Sequence, residues 1–489
     1  MVVVPPLLSL LKFMTQPYVD SVAPVILWFR TDLRLRDHPG VAAAVASNRP
    51  IVPLYIWDET LNTRRLGAAS MWWLHRSLKA LDEELAGLSS RLIIKSGDAR
   101  ACLSDVLQET GAKTVICSHS FDPALERFDE NLVHSDIGQY VDFQRYNATL
   151  LAAPGKIKTL DGKPFRVFTP YFRSLVANGL FRPDRPASFR AATWRCPRDW
   201  PWSAPLDSLR LDDTRGRSGR NWASGFDCFT PGERGARDAL RAFLEDRLLL
   251  YATGRDFPEC DATSRLSPHL RFGEISPQRI LCELACAVER QPNLAASAEK
   301  FRMELAWRDF SYQLLDQQPR LHTVNFRPEF DSFPWRDDEP GFRAWCRGQT
   351  GFNLVDAGMR ELWRTGYMHN RVRMVCASFL VKDLLIDWRR GEQWFWDCLL
   401  DADPANNPAS WQWVAGSGGD AAPYFRIFNP ATQAEKFDPK RVYRDRYSEA
   451  GSQNDLFSSP RTPIVDHAFA RRRALDALGE MRANSESRE

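Results

Sequence analysis

The chain has 489 residues, more than one hydrophobic core normally organises, so at least two domains are expected. Hydrophobic residues make up 44% and charged residues 26%, as in a soluble globular protein, and no apolar run reaches the roughly 18 residues of a membrane-spanning helix. The net charge of +3 is too small to announce a nucleic-acid binder, and ten cysteines without paired spacing fit a reducing cytoplasm better than a disulfide scaffold.

At the start, Val2–Leu11 is apolar but short, and its lysine, Lys12, follows the apolar run instead of preceding it. Residues 1–22 therefore read as a disordered extension and not a secretory signal. Apolar runs at Val25–Phe29, Ile51–Trp57, Leu92–Lys95 and Thr114–Cys117 alternate with helical-period stretches at Ala68–Leu85 and Ala99–Glu109. That alternation predicts an α/β domain with a parallel sheet over residues 23–150. No G-x-G-x-x-G follows the first strand, so a dinucleotide site is not supported there. Residues 151–215 are rich in Pro and Arg with weak periodicity and read as an inter-domain connection.

From Gly232 onward the strand signals vanish. Ala236–Leu250, Pro277–Glu289, Ala298–Leu315, Asn353–Thr365, Asn370–Leu384 and Glu392–Leu400 all carry helical periodicity, predicting an all-α C-terminal domain over 216–445. Residues 446–489 form a polar tail, poorly ordered except for a short helix at 466–482. Cys282 and Cys286, at i, i+4, read as buried free thiols rather than a metal site. Arginines crowd residues 182–241; a solvated surface and a phosphate-facing patch both remain open. The 17 tryptophans suit packing, base stacking or electron transfer.

Four segments could carry chemistry. Around Tyr251, Arg255 and Thr263–Ser267, hydroxyls cluster ahead of Pro277, either as a capping turn or as a phosphate cradle. Glu304, Trp307 and Arg308 share one helix face, either as an ion pair on an amphipathic helix or as a wall for a flat polar ligand. Asn370, Arg373 and Met374 share another face, with Arg371 pointing elsewhere, and their polar groups need partners if buried. Asp401 and Asp403 lead through Asn407 to Trp411 and Trp413, with no histidine at ligand spacing, so no metal is expected.

Trp28–Asp37, Tyr251–Ser276, Leu354–Arg389 and Ala409–Asp438, the last including Asp420–Pro430, resemble the photolyase/cryptochrome flavoproteins, over residues 24 to about 440. The resemblance is nearest to the class I-like cyclobutane pyrimidine dimer photolyases. It implies an α/β antenna-type domain and a helical FAD-binding domain. Tyr251, Thr263, Ser264, Arg265, Leu266 and Ser267 would hold the phosphates and ribityl chain. Phe301, where relatives often carry Trp, would line the pocket with Glu304 and Arg308 from the same helix and with Asn370. Asp401, Ala402 and Asp403 would meet the ring edge, with Arg373 paired to Asp401. Asn407 would face flavin N5. Plant-type cryptochromes tend to carry Asp there and insect-type ones Cys, so Asn implies repair over signalling.

The same resemblance implies a carbon–carbon lyase that splits cyclobutane dimers in DNA with light, with a cryptochrome-type photoreceptor as the alternative. Enzymes for (6-4) photoproducts carry histidines where this chain has Asn370 and Met374. Glu304 would hydrogen-bond the thymine carbonyls. Trp307 and Trp413 would wall the lesion pocket. Arg255, Asn370, Arg371, Met374 and Gln433 would be DNA contacts, with Arg308 a weaker one. Trp411, Trp388 and Trp335 would relay electrons from the flavin to the surface. Ala124 and Leu125 stand where folate-binding members place an Asn-Glu pair, with Glu126 one residue away, so the implied antenna is a folate, a deazaflavin or none. Monomeric action on DNA, without a membrane or an obligate protein partner, completes the expectation.

Overall fold

The computed structural model describes residues 22–61, 63–182, 188–213, 221–420, 425–448 and 462–486. The N-terminal extension and several of the arginines between 182 and 241 lie outside them. Five strands, β1 (Val25–Phe29), β2 (Ile51–Trp57), β3 (Ile93–Ser96), β4 (Thr114–Ser118) and β5 (Asp142–Tyr146), form one parallel sheet in the order β3-β2-β1-β4-β5. Val25 of β1 stands opposite both Ile51 and Thr114, which fixes the register of the central strands. β1 and β4 are buried along their whole length, so they appear as continuous apolar runs. β5, with the sequence DFQRY, is a half-exposed edge strand without such a run, and the sequence pattern missed it. Helices Pro39–Ala46 and Pro123–Val133 were missed as well.

The helical region follows the predicted pattern, with two local differences. The stretch expected as one helix at 236–250 is split by a wide turn at Phe243–Arg247 between Glu233–Ala242 and Leu248–Gly254. The stretch 370–384 is α-helical to Ser378 and then widens over Phe379–Asp383. Such widened turns insert a residue into the helical ladder and re-aim the side chains beyond it. Helices Ala295–Gln317, Asn353–Thr365 and Trp388–Cys398 stand close to their expected positions, and Asn406–Ala415 is added.

The stretch 151–215 is more than a connection. It contains the helix Phe168–Ala177, and its later part lies along the α/β layer, where Ile51 N donates to Arg195 O and Ala204 N to Ile94 O. Trp194, Leu209 and Leu211 are buried there. The seam between the two regions is polar and close. Arg34 is fully buried and donates to Gly273 O (2.8 Å), Ala148 O (2.8 Å) and Asp37 O (3.0 Å). Gly273 has φ +61°, and a Cβ there would stand 2.2 Å from Thr31 O, so only glycine lets the chains meet. The tail contributes the helix His467–Glu486, longer than expected, which buries Ala470, Ala474, Leu478 and Met481 beside Phe330, Phe333 and Leu385. Against the expectation of a buried pair, Cys282 is only half-buried and Cys286 is exposed, on the outer side of Pro277–Arg290.

Candidate functional site

The helix Ala295–Gln317, the segment 251–267, the helix Asn370–Ser378 and the segment 401–413 converge. Phe301 packs into an aromatic nest with Phe243 (4.6 Å between centroids) and Tyr251 (5.2 Å). One turn further, Glu304 pairs with Arg255, whose guanidinium also lies over the Tyr251 ring. Burial pushes the Tyr251 hydroxyl well above its ordinary range, so it stays protonated and can donate. Thr263, Ser264 and Arg265 are half-buried and Leu266 is buried, while Ser267 opens the short helix Ser267–Arg271 and is exposed. Arg265 sits at φ +55°, an uncommon conformation for a residue with a side chain and a recurrent one at binding sites.

Trp307 stacks one face on Phe168 at 3.7 Å and 9°, leaving the rest of the ring half-exposed. Arg308 is spent elsewhere: its two terminal nitrogens donate to Thr149 O (2.7 Å) and Leu270 O (3.2 Å). It works as a strut between the seam and the helix, not as a free cation.

On the next helix, Asn370 Nδ2 meets Met374 Sδ at 4.0 Å, which confirms their common face. Arg371 turns away, pairs with Asp256 at 2.9 Å and lies over Phe437. His369 caps this helix by accepting from Arg371 N. Burial lowers its pKa to about 4, so the ring is neutral. Arg373 holds Asp401 in a two-point pair of 3.0 and 2.9 Å.

Asp403 accepts from Tyr312 Oη (2.9 Å), Ala405 N (2.9 Å), Asn406 N (2.8 Å) and Asn406 Nδ2 (2.8 Å). Most of its capacity therefore serves the start of the helix Asn406–Ala415. The Ala402 carbonyl accepts from Arg271 Nε at 2.7 Å. Asn407 Nδ2 donates to Glu392 O (3.1 Å) and Glu392 Oε1 (2.8 Å), and Glu392 is bound in turn by Arg64. No motif flagged Glu392 or Arg64. They lie 328 positions apart, and the sequence holds no signal of their meeting.

Trp411 is buried against Phe395 and Trp345 and touches the helix Trp388–Cys398 at Gly391. Trp388, on that helix, is fully buried and donates from Nε1 to Asn325 Oδ1 at 2.9 Å. Trp335 is half-buried beside Phe333. Trp411 and Trp388 are thus buried and Trp335 is half-buried. Trp413 borders a cavity also lined by Arg327, Lys382 and Arg426. Gln433 lies on the helix Pro430–Phe437. Residues 421–424 of the Asp420–Pro430 motif lie outside the described residues.

In the α/β layer, Ala124 and Leu125 occupy the first turn of Pro123–Val133. Glu126 accepts from His119 Nδ1 (2.9 Å), Ser120 N (2.9 Å), Phe121 N (3.1 Å) and Arg145 Nη1 (3.3 Å). Burial would raise its pKa, but the His119 hydrogen bond and the backbone donors outweigh it and hold the carboxylate at about 2. Four hydrogen bonds thus tie this side chain to its own loop.

The fit to FAD rests on three features: the Arg373–Asp401 pair, the strained Arg265 turn and an Asn407 carbonyl without a hydrogen bond among the described residues. Together they offer a cation, backbone donors and a free acceptor to a phosphate-bearing, flat, polar cofactor.

Two family profiles match the chain: DNA photolyase over residues 25–188 and the FAD binding domain of DNA photolyase over 301–480. A deoxyribodipyrimidine photo-lyase of Agrobacterium fabrum is 44% identical, spanning 94% of this chain and 99% of its own. Cryptochrome-2 of Arabidopsis thaliana is 34% identical over 86% of this chain and 69% of its own. Among solved structures, a bacterial class III photolyase from Agrobacterium tumefaciens superposes with a TM-score of 0.86 at 42% identity, over 96% of this chain and 100% of that one. An archaeal photolyase from Sulfolobus tokodaii with two FAD molecules gives 0.76 at 29%, over 94% and 100%. The class I-like expectation is not supported, because the bacterial structure found similar is of class III.

Proposed function

The chain belongs to the DNA photolyase family, and we propose that it repairs cyclobutane pyrimidine dimers in DNA with light absorbed by FAD. FAD, when bound, supplies the light-excited electron that opens the dimer. Tyr251, Thr263–Ser267, Phe301, Arg373, Asp401, Ala402 and Asn407 hold it, and Asp403 shapes the turn that presents them. Domain boundaries near residues 150 and 216 belong to the same proposal.

The observation that carries the choice of lesion is the state of the helix start at 369–374. Splitting a cyclobutane ring needs electron injection and return but no general acid. Asn370 and Met374 have no acidic proton to give, and His369 is held neutral by burial with its Nδ1 occupied by a backbone N–H. That combination supports cyclobutane dimers over (6-4) products.

A flipped dimer enters between Trp307 and Trp413, at low cost because its bases already stack poorly. Phe168 backs Trp307, so the wall is rigid. Glu304 was expected to donate to the thymine carbonyls. Ion-paired to Arg255, its carboxylate is an acceptor, so in that state it meets the ring N–H groups and leaves the carbonyls to the Arg255 donors. Donation by Glu304 would require it first to take up a proton. Arg371, Asn370 and Gln433 bind the strand around the lesion. Trp411, Trp388 and Trp335 carry the oxidising equivalent outward when the cofactor is recharged in light.

The test is repair of a dimer-containing oligonucleotide by the purified, reduced protein under blue light, with a dark control. Glu304→Ala should slow repair by releasing the Arg255 donors from their set position, roughly 100-fold on the scale for loss of one preorganised donor to developing charge. Absence of repair by the wild type with its flavin fully reduced refutes the proposal and favours the photoreceptor reading.

A further inference from the structure

Asn407 spends both hydrogens of its amide on a single neighbour, Glu392, at 3.1 Å to the backbone oxygen and 2.8 Å to Oε1. This geometry requires Glu392 to accept. A carboxylate does so, whereas a protonated carboxyl can donate instead and reverse the amide. Glu392 is almost fully buried on the helix Trp388–Cys398, and burial pushes its carboxyl toward the protonated form. Arg64 opposes this from the loop after β2, gripping both carboxylate oxygens at 2.6 and 2.7 Å.

That grip is built in. The Arg64 guanidinium lies 4.0 Å over the Trp396 ring. Trp396 Nε1 donates to Arg65 O at 2.8 Å, and Ala68 N donates to Asp397 Oδ1 at 2.9 Å. Gly67 approaches so closely that a Cβ there would stand 2.1 Å from Trp396 O. A segment of the α/β region is thus strapped to the helix behind the site, and its cation ends on the one carboxylate that orients Asn407.

We propose that Arg64 is a positioning residue which, through Glu392, keeps the Asn407 carbonyl turned toward the cofactor and so favours a flavin that carries a hydrogen on N5. This rests on the reading of Asn407 as the group facing N5. An accepting carbonyl satisfies the N5–H of the reduced ring and opposes the N5 lone pair of the oxidised one. Without Arg64, Glu392 takes up a proton and donates it to the Asn407 oxygen. The amide then turns its NH2 toward N5, and the preference reverses.

The test uses the FAD-loaded full chain as wild type, Arg64→Leu, Arg64→Gln, Arg64→Lys, Glu392→Gln and Asn407→Leu. The readouts are the two-electron potential of the bound flavin by spectroelectrochemistry and the rate of its reoxidation in air in the dark. Flavin content and melting temperature check the fold. Arg64→Leu should shift the equilibrium about tenfold toward oxidised flavin, about 30 mV more negative for two electrons. Arg64→Gln removes the charge while keeping a polar side chain and is read in the same way should the Leu variant not fold. Arg64→Lys should recover most of the shift, and Glu392→Gln should match the Leu variant. A wild-type potential in both uncharged Arg64 variants, with Glu392→Gln shifted, overturns the role of Arg64 and leaves Asn407 in place. A wild-type potential in Asn407→Leu overturns the assignment of Asn407 itself.

Discussion

Gly391→Ala tests the proposed relay without removing any aromatic ring. An alanine Cβ would stand 2.2 Å from Trp411 Cη2, 2.6 Å from Trp411 Cζ3 and 2.5 Å from Leu380 Cδ2. Comfortable carbon contacts are about 3.5–4.0 Å, so the neighbours must yield by roughly 1 Å. Trp411 and Leu380 are both buried and have no solvent to move into. Overpacking of this kind costs about 2–3 kcal/mol, and the better helix propensity of alanine returns about 1. The net loss is about 1–2 kcal/mol, a fall in melting temperature of about 2–8 °C at about 2–4 °C per kcal/mol. Thermal unfolding followed by circular dichroism reads this, and light-driven reduction of bound FAD with an external reductant should slow in the same variant. An alanine variant as stable as the wild type, with unchanged photoreduction, would refute the argument that glycine is there to seat Trp411.

Trp411→Phe should block photoreduction of oxidised FAD yet spare repair once the flavin is chemically reduced; normal photoreduction in a spectroscopic time course contradicts the relay. Arg373→Leu strands Asp401 with its partner gone, at a cost of about 3–5 kcal/mol; it should release FAD on gel filtration, and retention at wild-type stoichiometry counts against the pairing's role. His467 is hydrogen-bonded to Asp383 at 2.5 Å, which raises its pKa against an opposing burial effect. Its contribution is therefore complete below the ordinary histidine pKa and is lost as pH rises through the raised folded value. The melting-temperature gap between wild type and His467→Gln should be widest at mildly acidic pH and close toward alkaline pH, and a gap that widens with pH has the wrong sign.

Local chemistry is written in the chain itself. β1 and β4 are legible because a strand covered on both faces must be apolar throughout, and Asn353–Thr365 because its periodicity and the glycine after it mark both ends. The motif residues are legible because the chemistry demands particular types close together, as with Asp401 and Asn407 or Asn370 and Met374. β5 escaped because an edge strand needs no apolar run. Phe379–Asp383 escaped because a widened turn keeps helical composition while changing the ladder.

Tertiary structure alone decided which partners those residues have. It turned Arg308 and Asp403 into structural ties, committed Glu126 to its own loop, paired Glu304 with Arg255 and set Phe168 behind Trp307. It also joined Arg64 to Glu392 across 328 positions. Periodicity and spacing report only what neighbours within a few turns require. A buried charge is answered by whatever the folded chain brings within about 3 Å of it, and that distance has no counterpart along the sequence.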